Sequence, residues 1–434
     1  MAPIVIAALL AAGLVLGGAG QDVEVRHGAL QLLALGALAW AVFRRPRESM
    51  LREARFGFAL AAAFAVAATA QLVPLPPELW TALPGRAPAT ESFKLLDQPA
   101  PWAPLSMTPD ETLAGVLHVI PALAVFAVIV RSDRRATNAV ALAVPSLAIV
   151  SAVWGGAQLA GGRESIAYLY DPASVGYPAG AFANVNHQGT LLLAALPFLA
   201  ALAHPARVDA PIRFGQGPAL AALYTALVLA LIATRSLFAY VMIVPVVAAC
   251  LAISKPPRRG GAIMTWTLIV GSVAAVAAFS APMIDELGAS AADNTATRLD
   301  VLEISGAMLK AVWPWGAGLG VYEALYPLHE PPGPPSKYFV NAAHNDYLQV
   351  LIELGAAGGL LVAGCLVWTG RLIWRAWAYG DPLQRAASIA LGVIALHSAV
   401  DYPLRTPAIA MLAAACLAVL AKPSGGGRGD EILR

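Results

Sequence analysis

A histidine opens the run His344-Asn345-Asp346-Tyr347-Leu348-Gln349-Val350-Leu351-Ile352-Glu353-Leu354-Gly355, at the start of a long apolar stretch. Asn345 or Asp346 can cap the helix that this stretch predicts, because either side chain accepts from the free N–H groups of a first turn. His344 then stands at the mouth of that helix, where a neutral imidazole can serve as a general base. A histidine bonded to its own loop fits the same run. Glu353 falls about two helical turns into the apolar stretch, on the face of Asp346. An acid at that depth needs a partner. An arginine is the natural one, and the sequence leaves open which.

Two arginines stand where an anion can be held. The segment from Asp293 to Lys310 reads as a helix outside the membrane spans, with Leu299, Leu302, Gly306 and Leu309 as its apolar stripe. Thr297 is a candidate cap with Asp300 three residues on, which puts Arg298 in the first turn. A cation there opposes the helix dipole, yet the same place attracts phosphate. Snorkelling to lipid headgroups is the plainer use of such an Arg. Arg235 sits in the short turn Thr234-Arg235-Ser236, where Ser236 can cap the helix that follows. Phe182-Ala183-Asn184-Val185-Asn186-His187-Gln188-Gly189 precedes another span, with Asn186 as a cap and His187 at the interface. In Asp401-Tyr402-Pro403-Leu404-Arg405 the acid and the Arg can simply pair with each other. Trp313, Trp315 and several tyrosines suit an interfacial aromatic belt.

The elements that must position these residues follow from composition. Of 434 residues, 12% are charged and 59% hydrophobic, and the mean hydropathy is +0.68. Soluble proteins carry roughly 25% charged residues, so a disordered chain is ruled out and the composition argues strongly against a water-soluble enzyme. A net charge of +2 gives no reason to expect nucleic acid. Cys250, Cys365 and Cys416 lie in apolar runs and form neither a disulfide framework nor a zinc pattern. Gly316, Gly318 and Gly320 mark a loop, not a nucleotide-binding fingerprint.

Hydropathy predicts an all-α polytopic membrane protein with about twelve spans: residues 3–20, 28–43, 56–73, 112–130, 139–160, 188–204, 219–234, 237–253, 262–280, 349–369, 384–400 and 406–421. With the N-terminus in the cytoplasm, nineteen of the 28 Lys and Arg fall on the cytoplasmic side, as the positive-inside rule requires. Only seven of the 26 acids do. The long loops, 74–111, 161–187 and 281–348, all lie outside, where long loops are commonly functional. Residues 1–434 read as one transmembrane domain, with the site in the large outer loop 281–348. Several helices running inward from the outer face begin with capping residues beside Arg or His. Their positive ends suit an anionic lipid headgroup.

These residues resemble the O-antigen ligase and polymerase family of bacterial inner-membrane glycosyltransferases. The likeness is strongest from Phe182 to Pro403. Its most specific piece is His344-Asn345-Asp346-Tyr347-Leu348 followed by Glu353-Leu354-Gly355 and Gly358. The run from Phe182 to Gly189 is similar to the family's Asn-rich turn, and Thr234-Arg235-Ser236 to its Arg-bearing turn, which often reads Ser-Arg-Gly. Arg298, with Trp313-Pro314-Trp315-Gly316 and Gly318-Leu319-Gly320, resembles the segment that opens the large loop. Gln71-Leu72-Val73-Pro74-Leu75-Pro76 also has the look of these proteins.

The resemblance implies a type C glycosyltransferase-like fold with a periplasm-facing site in the inner membrane. It implies a glycan donor carried on undecaprenyl diphosphate, an inverting reaction, and no metal or cofactor. The acceptor is the lipid A core in a ligase and a second lipid-linked glycan in a polymerase. On this reading His344 is the base and Arg298 a catalytic cation. Arg235, Asn186, His187, Asn345, Asp346, Glu353 and Arg405 surround the substrate. A non-enzymatic lipid or glycan transporter is the alternative from another class, but transporters place polar groups near the midplane, and here the spans hold few charges.

Overall fold

The computed structural model describes residues 1–19, 24–43, 52–170, 174–204, 218–253, 284–331 and 340–423. They are almost wholly helical: α1 (Ala2–Leu16), α2 (Glu24–Phe43), α3 (Arg52–Ala70), the short α4 (Pro77–Trp80) and α5 (Ala87–Leu95), α6 (Pro109–His118), α7 (Ile120–Val130), α8 (Arg134–Gly161), α9 (Val185–Leu202), α10 (Pro218–Ala233) and α11 (Leu237–Ile253). After these come α12 (Ile284–Val312), a single turn α13 (Tyr322–Leu325), α14 (Asp346–Tyr379), α15 (Pro382–His397) and α16 (Pro407–Ala421). The described strands are β1 (Pro74–Leu75) and β2 (Ala103–Pro104), paired antiparallel.

A helix underlies eleven of the twelve expected spans; the other, 262–280, lies outside the described residues. Among the described residues, six helical stretches are long and apolar enough to cross a bilayer: α2, α3, α6 with α7, α8, α9 and α14. The apolar helices α1, α10, α11 and α16 fall short of the roughly 20 residues a perpendicular crossing needs. The chain is thus an all-α, multi-pass membrane protein in kind. The basic segments 205–217 and 255–261, and most of 44–55, also lie outside the described residues.

α9 is the centre. Its residues from His187 to Leu199 are all buried, and it packs against α8, α10, α11 and α15. A helix apolar on every side is what a fully enclosed element requires. α14 is not one straight rod: Gly355 breaks it, with φ +60° and ψ −141°. The loop after α12 fills the break. Ala317 N–H donates to Ile352 O (3.0 Å), Gly318 N–H to Glu353 O (3.0 Å), and Ala356 N–H to Pro314 O (2.8 Å). Gln71 adds an amide bond to Glu353 O (2.9 Å) while its own carbonyl accepts from Leu319 N–H (3.1 Å). Irregular backbone at membrane depth persists only when protein satisfies its polar groups, and here it does. A Cβ at Gly355 would press on the Pro314 carbonyl oxygen and meet a backbone angle that L-residues avoid. Gly355→Ala is therefore expected to cost at least about 2 kcal/mol, read as a lowered melting temperature in detergent.

The bundle has two chemically different ends. At one, Arg131 Nε donates to Ala41 O (2.6 Å), Glu53 takes both Arg371 and Arg375 (3.1 Å each), and Arg134 meets Asp381 (3.5 Å). There the Lys422 ammonium bonds the Ile129 and Ser132 carbonyls that end α7, the favourable place for a cation on a helix. These are the residues the charge count assigned to the cytoplasm. At the other end Asn186, Ser236, Arg298, His344 and Asp401 meet.

Two local expectations change. The first concerns α12, which begins at Ile284, so Thr297 does not cap it and Arg298 lies well inside the helix. Second, Asn184 rather than Asn186 caps α9, accepting from Asn186 N–H. The face of α12 turned to the protein is Val301, Ser305, Met308 and Val312, while Leu299 and Leu302 of the apolar stripe are exposed. Ser305 Oγ lies 2.7 Å from the Tyr322 hydroxyl on the inward face.

Candidate functional site

The turn between α15 and α16 carries the hub of the site. Asp401, its side chain 1% exposed, is approached from four helices or their ends. Oδ1 meets His344 Nδ1 (3.3 Å) and accepts from Tyr402 N–H (2.9 Å). Oδ2 accepts from Asn186 Nδ2 (3.1 Å) and faces His397 Nε2 (3.5 Å) and an Arg298 NH group (3.5 Å). Arg298 also donates to Val400 O (3.0 Å), which fixes its guanidinium over the turn. Burial pushes the Asp401 carboxyl up. The bonds from His344 and His397 and the nearby charge outweigh that and hold it well below the ordinary carboxylate range. Asp401 is thus an anion, and an anion only accepts. A neutral His344 then carries its hydrogen on Nδ1, which leaves Nε2 with a lone pair.

His344 is 30% exposed in its side chain, and no described residue bonds Nε2. Its φ of +48° places it in the left-handed region, as does the +55° of Arg235. Such angles cost about 1 kcal/mol or more and persist where the surroundings enforce them. At His344 the enforcement is visible. Asn345 caps α14 through Leu348 N–H (3.0 Å) and donates to Ala399 O (3.0 Å). Asp346 N–H donates to Ser398 O (2.8 Å), and Tyr402 packs edge-on against the imidazole at 5.1 Å. Burial beside Asp401 raises the Tyr402 hydroxyl to about 12.

A second layer supports the turn. Arg405 bonds Glu353 (2.8 Å) and sits 3.8 Å from Asp346, which also accepts from Leu404 N–H (3.2 Å). Gln349 donates to the other Glu353 oxygen (3.1 Å). Arg405 is thus the partner that Glu353 requires, and Asp401 and Arg405 do not pair with each other. Each is drawn to helices distant in sequence. Glu353 and Asp346 are enclosed, so they hold the turn rather than line an open surface. Glu353→Gln leaves Arg405 with one acid at long range. Breaking a buried pair costs about 3–5 kcal/mol. The loss should fall at the lower end, because Arg405 keeps Asp346 and is 26% exposed; thermal unfolding in detergent measures it.

Ser236 caps α11 and donates to Asn186 Oδ1 (2.8 Å). The turn bearing Arg235 is thereby tied through Asn186 to Asp401. The Arg235 side chain is exposed and has no hydrogen bond or ion pair among the described residues. His187 is enclosed by protein: it is 2% exposed, within 2.8 Å of the Thr406 hydroxyl, beneath Tyr402. α9 is central, so its first turn lies inside the bundle.

Residues 220–363 match the family model of the O-antigen ligases. The matched stretch holds Arg235, Arg298, His344 and Glu353, and the O-antigen ligase-like character implied by the motifs is borne out over it. The match supports glycan transfer of the O-antigen ligase or polymerase type, with lipid-linked glycans in a membrane as substrates. No curated protein matches the chain.

Asp401 and His397 lie beyond that stretch, and sequence reasoning gave neither a role in the site. The available signal was their spacing: a His in the last turn of a helix, with an acid four residues later.

Proposed function

We propose that the chain is an inverting glycosyltransferase that moves a glycan from undecaprenyl diphosphate to an acceptor hydroxyl, with its site on the periplasmic face of a bacterial inner membrane. The observation that carries this is the carboxylate of Asp401 shared between His344 and Arg298. It fixes a base and a cation on one small surface. His344 Nε2 takes the proton of the acceptor hydroxyl as that oxygen bonds the anomeric carbon. The bond from that carbon to the phosphate oxygen breaks on the opposite side, and its electron pair leaves with the lipid diphosphate. Asp401 stabilises the imidazolium that results. Arg298 and Arg235 face the departing charge; a guanidinium stays ionised and grips phosphate oxygens with two parallel bonds. The large loop 281–348, within one transmembrane domain, contributes Arg298 and His344.

Arg235 is the free cation of the described site, so its removal acts on the donor. Arg235→Ala is expected to weaken donor binding or turnover by about 10²-fold, and Arg235→Lys to restore only part of it. Unchanged donor KM and kcat in Arg235→Ala would remove Arg235 from the site.

A ligase and a polymerase share this donor chemistry and differ in the acceptor. The ligase form, with the lipid A core as acceptor, is favoured by the family description. Glycan lengths in a deletion strain test it. Loss of all core-linked glycan with long lipid-linked chains accumulating is the ligase outcome. Retention of core plus one unit marks a polymerase. Movement of lipid-linked glycan across liposomes without a new glycosidic bond would overturn both.

A further inference from the structure

Asp401 is held by two imidazoles, and the reading above uses only one of them. His397 closes α15 with its side chain 1% exposed, directly under Asp401. Its ring is stacked on Phe238 of α11 with centroids 4.1 Å apart and planes 16° from parallel. Nδ1 lies 2.6 Å from the Thr190 hydroxyl of α9, and Nε2 lies 3.5 Å from Asp401 Oδ2. The ring is therefore held by α11 on its face and by α9 at Nδ1, and its one remaining polar direction points at the carboxylate. Since Asp401 is an anion, Nε2 carries a hydrogen and donates it. With the Thr190 hydroxyl donating to Nδ1 the ring does this in its neutral form; with that hydroxyl donating to Asn186 O, its other neighbour at 3.0 Å, Nδ1 donates to Thr190 as well.

We infer that His397 is a positioning residue for glycan transfer, which sets through Asp401 both the tautomer and the basicity of His344. The inference rests on His344 being the base. Oδ2 carries the His397, Asn186 and Arg298 contacts, so the carboxylate is pinned from that side and Oδ1 is presented to His344. Each donor on Oδ2 also takes a share of the negative charge. With the His397 donor gone, more of that charge falls on His344, whose imidazolium form is then favoured. The titratable groups around His397 are Asp401 in the following turn, His187 of α9 at 6.2 Å between ring centroids, and, across Asp401, His344 and Arg298. From α11 it meets Phe238, which does not titrate.

The test compares two amides in the purified full-length protein, reconstituted with lipid-linked donor and acceptor isolated from host membranes. His397→Gln places an N–H near the position of Nε2 and keeps the bond to Asp401. His397→Asn ends near Nδ1, keeps Thr190 and abandons Asp401. The Gln variant is expected within about 3-fold of wild-type kcat. The Asn variant should fall about 10- to 100-fold in kcat with donor KM within 2-fold, as expected when a general base is mispositioned. In the Asn variant the acidic limb of the kcat profile should also move to higher pH. Equal kcat and equal pH midpoints in the two variants, whether both active or both impaired, overturn the inference. His344→Asn serves as the second arm. If it abolishes transfer while His397→Asn matches wild type, positioning by His397 fails alone. If it leaves transfer intact, the base assignment fails, and the inference with it.

Discussion

His344→Asn is expected to fold and to lose about 10²- to 10⁴-fold in turnover, the usual worth of a positioned general base. Asn is chosen over Ala because position 344 has φ +48°, and Asn enters that region more readily than other L-residues. Its amide can also donate to Asp401 in place of Nδ1, so the turn keeps its anchor. What Asn lacks is the lone pair at the place of Nε2. Donor binding should persist, since the cations are untouched, and kcat should fall with donor KM little changed. Steady-state kinetics in proteoliposomes, with melting temperature as the control for folding, measure the effect. Wild-type turnover in a folded His344→Asn protein would falsify the assignment.

The second large effect belongs to Asp401→Asn, which keeps shape and removes charge. Arg298 loses its counter-ion, His397 loses its acceptor, and His344 is free to carry its hydrogen on either nitrogen. An acid-to-amide change behind a catalytic histidine costs on the order of 10⁴ in the triad enzymes where it is understood. A loss of about 10²- to 10⁴-fold is expected here. Stability should drop as well, by about 3 kcal/mol, as when one partner of a buried ionic cluster is removed. The pH dependence gives the sign. The folded carboxyl lies well below its ordinary value, while an unfolded Asp titrates near 3.9. Its contribution is therefore complete above about pH 5 and shrinks as pH falls through 4 toward the folded value. The difference in melting temperature between wild type and Asp401→Asn should be flat from pH 5 to 8 and narrow below 4. A difference that grows on acidification would contradict an ionised Asp401.

The helices were legible in the sequence because hydropathy alone specifies them, and so was the cluster of polar loops on one side. The expectation for His344 was specific because a helix cap and a histidine stand together in sequence. What stayed hidden is set by tertiary packing. Asp401 and Arg405 stand four residues apart in one turn and read as a local pair. Only the assembled bundle brings Asn186, Arg298 and His344 to the first and Glu353 with Asp346 to the second. The inward face of α12, with Val301, Ser305, Met308 and Val312, was hidden for a related reason: in a chain beside lipid an exposed leucine carries no penalty, so Leu299 and Leu302 do not mark the inside. The enclosure of His187 was hidden because sequence does not tell which helix is central.

The position of Asp401 bears on how the chain enters its membrane. Its neutralising partners come from segments threaded at different times: Asn186 early, Arg298 and His344 later, His397 just before it. A polypeptide with one of these segments inserted in reverse would leave that buried carboxylate short of a partner, a loss of about 3–5 kcal/mol. Correct threading is thus favoured at the last helical hairpin, whose turn finds all its side-chain partners only when those segments reach the same end of the bundle.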